Sequence, residues 1–272
     1  RNFVDLEKYI ENFRQNHSTW NFRGTNIFTH MGCVYKCLFC SRYGPQKTYY
    51  RNPKIVWQEV RALVENYGID YIVDFSDTIT QDISALRELV DLKPKDLNPI
   101  FHVFSTSGGI NKETLKLFRK LNVKHMFIGA ETGDYNLAAS ISKGSDFSPK
   151  QTLDTIILLI DAGIKITPSF VLGLPGEDKD SLERTYRFAE KIKDLSDFEE
   201  IFCSALIPFP VSRALDLLME KTGIPDTDLF DPEEIKKRWI EQFCNVDYET
   251  INSYVDRILS LGKYTITIRR DD

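Results

Sequence analysis

Three cysteines follow a short run of β-branched and aromatic residues, and residues 25–40 read TNIFTHMGCVYKCLFC. The run at residues 25–30 predicts a strand, so Cys33, Cys37 and Cys40 would lie in the loop after it. Three thiolates this close in sequence can face one small inorganic centre. The other two cysteines, Cys203 and Cys244, are isolated. The five together make a poor disulfide framework and indicate a metal site in a reducing compartment, which we expect to be the cytoplasm.

A strand followed by an amphipathic helix recurs along the chain. Helix start signals, such as Asn52-Pro53 and Asp231-Pro232, separate the apolar runs. Six such βα units predict an α/β fold, a partial (βα)6 TIM-like barrel with a helical C-terminal extension. A short alternating run at residues 264–268 is typical of a strand, but the pattern does not place it. The six predicted strands are residues 25–30, 71–75, 99–105, 124–128, 165–172 and 201–207.

Three segments are expected: an N-terminal linker at residues 1–24, the barrel core at 25–210 and a mostly helical extension at 211–272. The chain begins with Arg1, so we expect a piece of a longer protein that lacks an N-terminal domain. Of the 272 residues, 42 % are hydrophobic and 28 % charged, as in globular proteins, and no run reaches a membrane span. The net charge of −5 argues against a broad nucleic-acid surface.

The cysteine spacing alone leaves two kinds of metal site open. His30 would supply a fourth zinc ligand, but structural zinc sites usually pair two distant ligand clusters, and the sequence has only one. An iron–sulfur cluster usually has four cysteine ligands, so three would leave one iron with an open position. An open iron at the mouth of a barrel indicates chemistry.

The spacing Cys33-x3-Cys37-x2-Cys40 after the first strand, with Phe39 before the last cysteine, resembles the signature of the radical S-adenosylmethionine superfamily. Three later stretches follow in that family's order. The last two of them resemble the branch whose members carry a cobalamin-binding domain. The three stretches are residues 74–78 (DFSDT), residues 129–133 (GAETG) with Lys143-Gly144 after them, and residues 173–177 (GLPGE).

The resemblance implies a [4Fe-4S] cluster on Cys33, Cys37 and Cys40, with S-adenosyl-L-methionine at its open iron. The loop after the second strand would hold the ammonium of the methionine, Glu131 would face its ribose or methionine end, and Lys143 would meet its carboxylate. Simpler roles compete, Asp77 as a cap of the next turn and Lys143 as an exposed helix end. The implied cofactor-binding residues are Phe39, Ser76, Asp77, Thr78, Ser105, Glu131, Lys143, Leu172 and Gly173.

The implied reaction is reductive cleavage of S-adenosylmethionine to a 5′-deoxyadenosyl radical, which takes hydrogen from a small-molecule or peptide substrate. An electron donor such as flavodoxin or ferredoxin would be the partner. Cobalamin-dependent C-methylation is the leading reaction, and cobalamin-independent rearrangement, cyclisation or lysis is the alternative. A zinc-stabilised binding module is the alternative from another class. No side chain is predicted to be catalytic, and His30, His102 and His125 are expected to be structural.

Overall fold

A computed structural model describes residues 5–16, 22–41, 47–141, 143, 147–196, 198–223 and 231–265. The helices in these residues are α1 (Leu6–Asn16), α2 (Pro53–Tyr67), α3 (Ile83–Asp91), α4 (Lys112–Leu121), α5 (Tyr135–Ser140), α6 (Pro149–Asp161), α7 (Lys179–Ser196), α8 (Arg213–Thr222), α9 (Pro232–Phe243) and α10 (Tyr248–Leu259). The strands are β1 (Gly24–Ile27), β2 (His30–Met31), β3 (Tyr49–Tyr50), β4 (Tyr71–Asp74), β5 (Ile100–Thr106), β6 (Val123–Glu131), β7 (Lys165–Leu172), β8 (Glu200–Ala205) and β9 (Tyr264–Thr265).

The main sheet has seven strands in the order β1-β4-β5-β6-β7-β8-β9. Six of them are the predicted βα strands. The seventh strand, β9, belongs to the alternating run at residues 264–268, whose position the sequence pattern did not predict. Tyr264 and Thr265 pair parallel with β8, and residues 266–268 lie outside the described part of the chain. The first predicted strand ends earlier than expected, at Ile27, because His30 instead joins Met31 in β2 and pairs antiparallel with β3.

Two compact units make up the chain. The first comprises residues 1–34, 46–127 and 161–165, and the second residues 35–45, 128–160 and 166–272. The three segments expected from the sequence stay a prediction. No helix among the described residues has the length and apolar character needed to cross a membrane.

In the first unit, α2 begins where the sequence predicts. The Asn52 side chain accepts a hydrogen bond from the Lys54 N–H, and Gly68 ends the helix with a φ of 61°. Trp57 on the buried side of α2 packs edge-on against Phe101 of β5, with ring centroids 5.9 Å apart. Its indole N–H donates to the Leu89 carbonyl of α3 over 2.8 Å. Trp57 therefore joins α2 to both β5 and α3.

In the second unit, the C-terminal helices pack on the last strands. α10 buries Ile251, Tyr254 and Ile258 against β8 and α7, and the Tyr254 hydroxyl donates to Glu183 of α7 over 3.1 Å. Asp231 caps α9 by accepting from the Glu233 N–H. The helical extension expected from the sequence is therefore present as α8, α9 and α10.

Candidate functional site

The start of the cysteine loop is tied to the loop after β4. The Thr29 N–H donates to Asp74 Oδ1 over 3.1 Å and to Ser76 Oγ over 2.8 Å, and the Thr29 hydroxyl donates to Asp74 Oδ2 over 2.6 Å. The His30 N–H also donates to Ser76 Oγ, over 3.0 Å. Asp74 and Ser76 are buried. The hydroxyl of Ser76, predicted to contact the cofactor, thus fixes the backbone that leads to the first cysteine.

The backbone on both sides of Cys33 is hydrogen-bonded to Asp77 and Gln81, two residues that follow β4. The Gly32 N–H donates to Asp77 Oδ2 over 2.9 Å, and Gln81 binds both sides of Cys33, donating to the Gly32 carbonyl and accepting from the Val34 N–H. The sulfur of Cys33 lies 4.0 Å from the Thr78 hydroxyl.

Two details of this loop bear on the sequence predictions. The carboxylate that caps α3 is Asp82, whereas Asp77 binds the cysteine loop. The sequence did not predict the role of Gln81 in fixing the cysteine loop. Its amide can donate and accept at the same time, and its position shortly after residues 74–78 was the one sequence feature that pointed to this role. Gly32 is required where it stands, because its φ is +94° and a Cβ atom would lie 2.7 Å from the Lys47 carbonyl oxygen.

In the second unit, Cys37 and Cys40 flank a tight turn. The Cys40 N–H donates to the Cys37 carbonyl over 3.1 Å. Leu38 within the turn is buried, its N–H donates to the Ile141 carbonyl, and its carbonyl accepts from the Ala214 N–H. Phe39 is half-buried. Cys33, Cys37 and Cys40 are all half-buried and none of them forms a disulfide, and three such sulfur donors suit an iron–sulfur cluster. Their joint ligation of one cluster stays a prediction.

A buried ion pair follows β6. Lys143 Nζ donates to Glu131 Oε1 and, over 3.2 Å, to the Gly129 carbonyl, and it lies 5.1 Å above the Phe147 ring. Both charged side chains are buried, so the alternative of Lys143 as an exposed helix end is wrong. The pair brings two of the predicted cofactor-binding residues together.

Glycine at position 129 makes room for this pair. A Cβ atom there would overlap both Lys143 Nζ and Glu131 Oε1. Glu131 itself has a φ of 60°, a left-handed backbone that costs a non-glycine residue about 1–3 kcal/mol. Such strain is often found at functional sites. The Gly-x-Glu spacing quoted from the sequence therefore has a packing reason that is independent of any cofactor.

The loop after β7 is closed on itself by Glu177. Leu172 is fully buried, and Gly173 turns the chain with a φ of 86°. The N–H groups of Gly173 and Leu174 both donate to Glu177 Oε2. Burial raises the pKa of the Glu177 carboxyl to about 7, although the two N–H groups oppose the shift. The sequence motif thus encodes a turn stabilised by its own glutamate.

Helix α9 and the segment after it form hydrogen bonds with the loop at residues 173–177, a contact that the sequence did not predict. The Trp239 indole N–H donates to the Gly173 carbonyl over 2.7 Å. The Gly176 N–H donates to the Phe243 carbonyl, and the Asn245 N–H to the Glu177 carbonyl, each over 2.7 Å. We call these three hydrogen bonds the C-terminal clasp.

Ser105 and the histidines lie inside the first unit. Ser105 is buried, and its hydroxyl lies 2.9 Å from the Thr80 hydroxyl. The Tyr71 hydroxyl lies 3.1 Å from His102 Nδ1 and 2.5 Å from His125 Nδ1. Burial, with the charge of Lys165, lowers the pKa of His125 to about 4. Both histidines therefore have partners inside the unit, which supports the structural role expected for them.

Burial determines the surroundings of His30 and of the two isolated cysteines. His30 is buried beside the Tyr50 ring and lines a cavity of about 40 Å³ with apolar residues of α2 and α3, which gives the zinc alternative no support. Burial raises the pKa of Cys203 well above its ordinary value and that of Cys244 to about 12, and the charge of Glu177 adds to both shifts. Both are therefore neutral thiols at neutral pH.

Comparison with known proteins identifies proteins of similar sequence. The anaerobic magnesium-protoporphyrin IX monomethyl ester cyclase of Cereibacter sphaeroides is 31 % identical over 206 residues, which cover 72 % of this chain and 32 % of that protein. An uncharacterized methyltransferase of Pyrococcus horikoshii is 24 % identical over 191 residues, 69 % of this chain and 40 % of that protein. The chain thus spans about a third to two fifths of these relatives.

Among solved structures, the radical S-adenosylmethionine methyltransferase TsrM of Kitasatospora setae, with cobalamin and a [4Fe-4S] cluster bound, superposes with a TM-score of 0.71. The match covers 95 % of this chain and 54 % of TsrM at 16 % identity, and it confirms the partial barrel fold. Residues 27–189 match the radical SAM superfamily, a stretch that includes the cysteine loop, the ion pair and the loop closed by Glu177. The chain therefore belongs to the radical S-adenosylmethionine superfamily and is an enzyme of that class.

Proposed function

We propose that this enzyme holds a [4Fe-4S] cluster through Cys33, Cys37 and Cys40 and cleaves S-adenosylmethionine reductively. When bound, the cluster and S-adenosylmethionine supply an electron and a 5′-deoxyadenosyl radical, which abstracts hydrogen from the substrate. The observation that carries the proposal is the set of three half-buried cysteines between β2 and β3, in a loop whose backbone is fixed on both sides of Cys33. A fixed backbone presents its ligands without an ordering cost.

The residues assigned to S-adenosylmethionine suit its zwitterionic methionine end. Asp77 lies on the loop that binds the cysteine loop and is exposed, so we assign it to the ammonium. Glu131 and Lys143 place an anion and a cation side by side in a buried setting, where charge-assisted hydrogen bonds are strong. We assign Lys143 to the carboxylate and Glu131 to the ribose or methionine end. Gly173 would let the backbone approach the adenine closely.

The test is anaerobic reconstitution of the chain with iron and sulfide, followed by dithionite and S-adenosylmethionine. We expect about four iron atoms per chain, as four-iron clusters require, and slow formation of 5′-deoxyadenosine. No native substrate is needed, because uncoupled cleavage is measured. Zinc at about one atom per chain with no deoxyadenosine would instead support the zinc-stabilised module.

We further propose C-methylation with cobalamin as the overall reaction, on the support of the methyltransferase names among the similar proteins. The second candidate is a cobalamin-independent rearrangement, cyclisation or lysis, and the name of the cyclase of Cereibacter sphaeroides supports cyclisation. The reconstituted enzyme, supplied with hydroxocobalamin and reductant, separates the two. S-adenosylhomocysteine formed only when cobalamin is present supports methylation, whereas deoxyadenosine alone, unchanged by cobalamin, supports the second. We place the enzyme in the cytoplasm with a flavodoxin or ferredoxin as its donor.

A further inference from the structure

Four phenylalanine rings form a continuous row in the first unit, two of them directly after β1 and β4 and two within β5 and β6. The ring of Phe28 lies 6.5 Å from that of Phe75, Phe75 lies 5.2 Å from Phe104, and Phe104 lies 5.2 Å from Phe127. Neighbouring rings are tilted by 51°, 38° and 35°. We call these four residues the phenylalanine row.

The row lies on the face of the strands that α2 does not cover. Side chains alternate along a strand, so Ile72 of β4 and Phe101 and Val103 of β5 lie on the opposite face, where they are buried and where Phe101 packs against Trp57 of α2. In contrast, Phe28 is 48 % exposed and Phe75 is 49 % exposed. Large apolar side chains grouped at a surface usually mark a binding site.

The amino-terminal end of this face is closed. Phe13 of α1 lies 6.1 Å from the Tyr71 ring, and Phe22 stacks on it at 5.1 Å. The ring of His102 stacks on Phe104 at 5.5 Å, which joins the buried tyrosine and histidines to the row. The open end is therefore the carboxyl end of the strands, where Phe28 precedes the cysteine loop and Phe75 lies within the loop at residues 74–78.

The face carries no permanent charge among its described residues on β4 and β5. The alternating positions there are Tyr71, Val73 and Phe75 on β4 and the loop after it, and His102, Phe104 and Thr106 on β5. The neighbouring His125 of β6 has a lowered pKa of about 4 because of burial, so its imidazole is neutral at neutral pH. A surface of aromatic faces and edges without charge suits a flat, uncharged ring system, since aromatic rings pair at centroid distances of about 4.5–7 Å.

We propose that the substrate carries a flat conjugated ring and that this ring lies against the phenylalanine row, with Phe28 and Phe75 as its principal contacts. The inference rests on the proposed function, because it takes the row as the substrate side of the radical site. It goes further by naming the chemical class of the substrate.

The test uses 2-naphthoate and decahydro-2-naphthoate, which share their carboxylate and carbon skeleton but differ in flatness. Binding to the reconstituted chain is measured by calorimetry and by saturation-transfer NMR. We expect 2-naphthoate to bind and the saturated acid to bind at least about fivefold more weakly, because the aromatic pair contribution is lost. Phe75→Leu keeps the apolar side chain without the ring and should weaken naphthoate binding, as should Phe28→Leu. Tyr135→Phe, at an exposed aromatic position of α5, is the matched control.

Equal affinity for the flat and saturated acids, absence of naphthoate binding, or unchanged affinity in both leucine variants would overturn the inference. The variants change exposed side chains, so circular dichroism should confirm that they fold. Failure of the proposed function is read separately, from S-adenosylmethionine cleavage by the unaltered chain. An enzyme that cleaves S-adenosylmethionine but ignores naphthoate contradicts the ring assignment alone. A chain that binds naphthoate but forms no deoxyadenosine contradicts the proposed function.

Discussion

Lys143 donates a hydrogen bond to Glu131 where both side chains are only 6 % exposed. Two charges removed from water to this extent depend on each other, because each would carry a large desolvation cost alone. The Gly129 carbonyl accepts a further hydrogen bond from the ammonium, and the absence of a side chain at Gly129 leaves the space that the pair fills. The position after β6 is therefore sensitive to any change that removes one charge and leaves the other.

Lys143→Met should lower the free energy of unfolding by about 3–5 kcal/mol, since it leaves the Glu131 carboxylate buried without its cation. Adding Glu131→Gln should restore part of that loss, because the uncompensated charge is then gone. Urea unfolding of the single and double variants measures both effects. Lys150→Met is the control, because its partner Asp154 is exposed, and it should leave unfolding unchanged. A double variant less stable than Lys143→Met would show that the carboxylate has other partners.

Ser76→Ala should destabilise the start of the cysteine loop. It leaves the His30 N–H without its acceptor, and an unsatisfied buried donor costs about 1–3 kcal/mol. We expect a lower melting temperature and less iron and sulfide after reconstitution, because the loop that holds Cys33 is then less fixed. Ser84→Ala, at an exposed position of α3, should change neither. Iron content equal to that of the unaltered chain would assign Ser76 no part in positioning the loop.

The stability of the loop closed by Glu177 should depend on pH. Its pKa in the folded protein, about 7, lies above the ordinary 4.5, so the folded state binds the proton more tightly than the unfolded chain. This stabilisation, roughly 3 kcal/mol, is complete below about pH 4.5 and is lost as the pH rises through about 7. Glu177→Gln keeps an acceptor for the two N–H groups but does not titrate.

Unfolding of both proteins at pH 5, 6, 7 and 8 tests this dependence. The stability of the unaltered chain relative to Glu177→Gln should fall across the series. Glu241→Gln, at an exposed position of α9, should follow the unaltered chain at every pH. Parallel profiles for the unaltered chain and Glu177→Gln would mean that the carboxyl does not titrate in this range.

The five cysteines should divide into two classes. Changing Cys33, Cys37 or Cys40 to alanine should abolish deoxyadenosine formation and lower bound iron, because the cluster needs all three thiolates. Cys244→Ala is the matched control. Its thiol donates to the Leu174 carbonyl over 3.6 Å and has a pKa raised to about 12 by burial, so it is a poor ligand. Deoxyadenosine formation retained in Cys37→Ala, or cluster loss in Cys244→Ala, would defeat the assignment.

The sequence predicted the parallel βα order and the helix starts, because strand periodicity and capping residues are local signals. Asn52 and Asp231 cap α2 and α9 as expected. Local patterns also placed the cysteine loop beside residues 74–78, since the carboxyl ends of neighbouring parallel strands meet at one edge. The antiparallel pair of β2 and β3 was not predicted, because two-residue strands leave no periodicity.

Contacts between distant residues were beyond prediction. Trp239 binds a carbonyl 66 residues away, and nothing near Trp239 or Gly173 in the sequence points to the other. Ser76 shows a different limit. Its hydroxyl is suited to a cofactor ammonium and equally to backbone N–H groups, and only the fold decides which donors come near. Ligand roles of polar loop residues therefore need the structure.

The C-terminal clasp has a consequence for exchanging parts between relatives. Trp239, Phe243 and Asn245 satisfy polar backbone groups of residues 173–177. The two segments therefore act as one structural unit, although Trp239 and Gly173 lie 66 positions apart in the chain. A chimera that imports a foreign C-terminal helix but keeps the native loop would leave those groups facing side chains selected for another partner. Recombination between family members should therefore place its crossovers so that both segments come from the same parent.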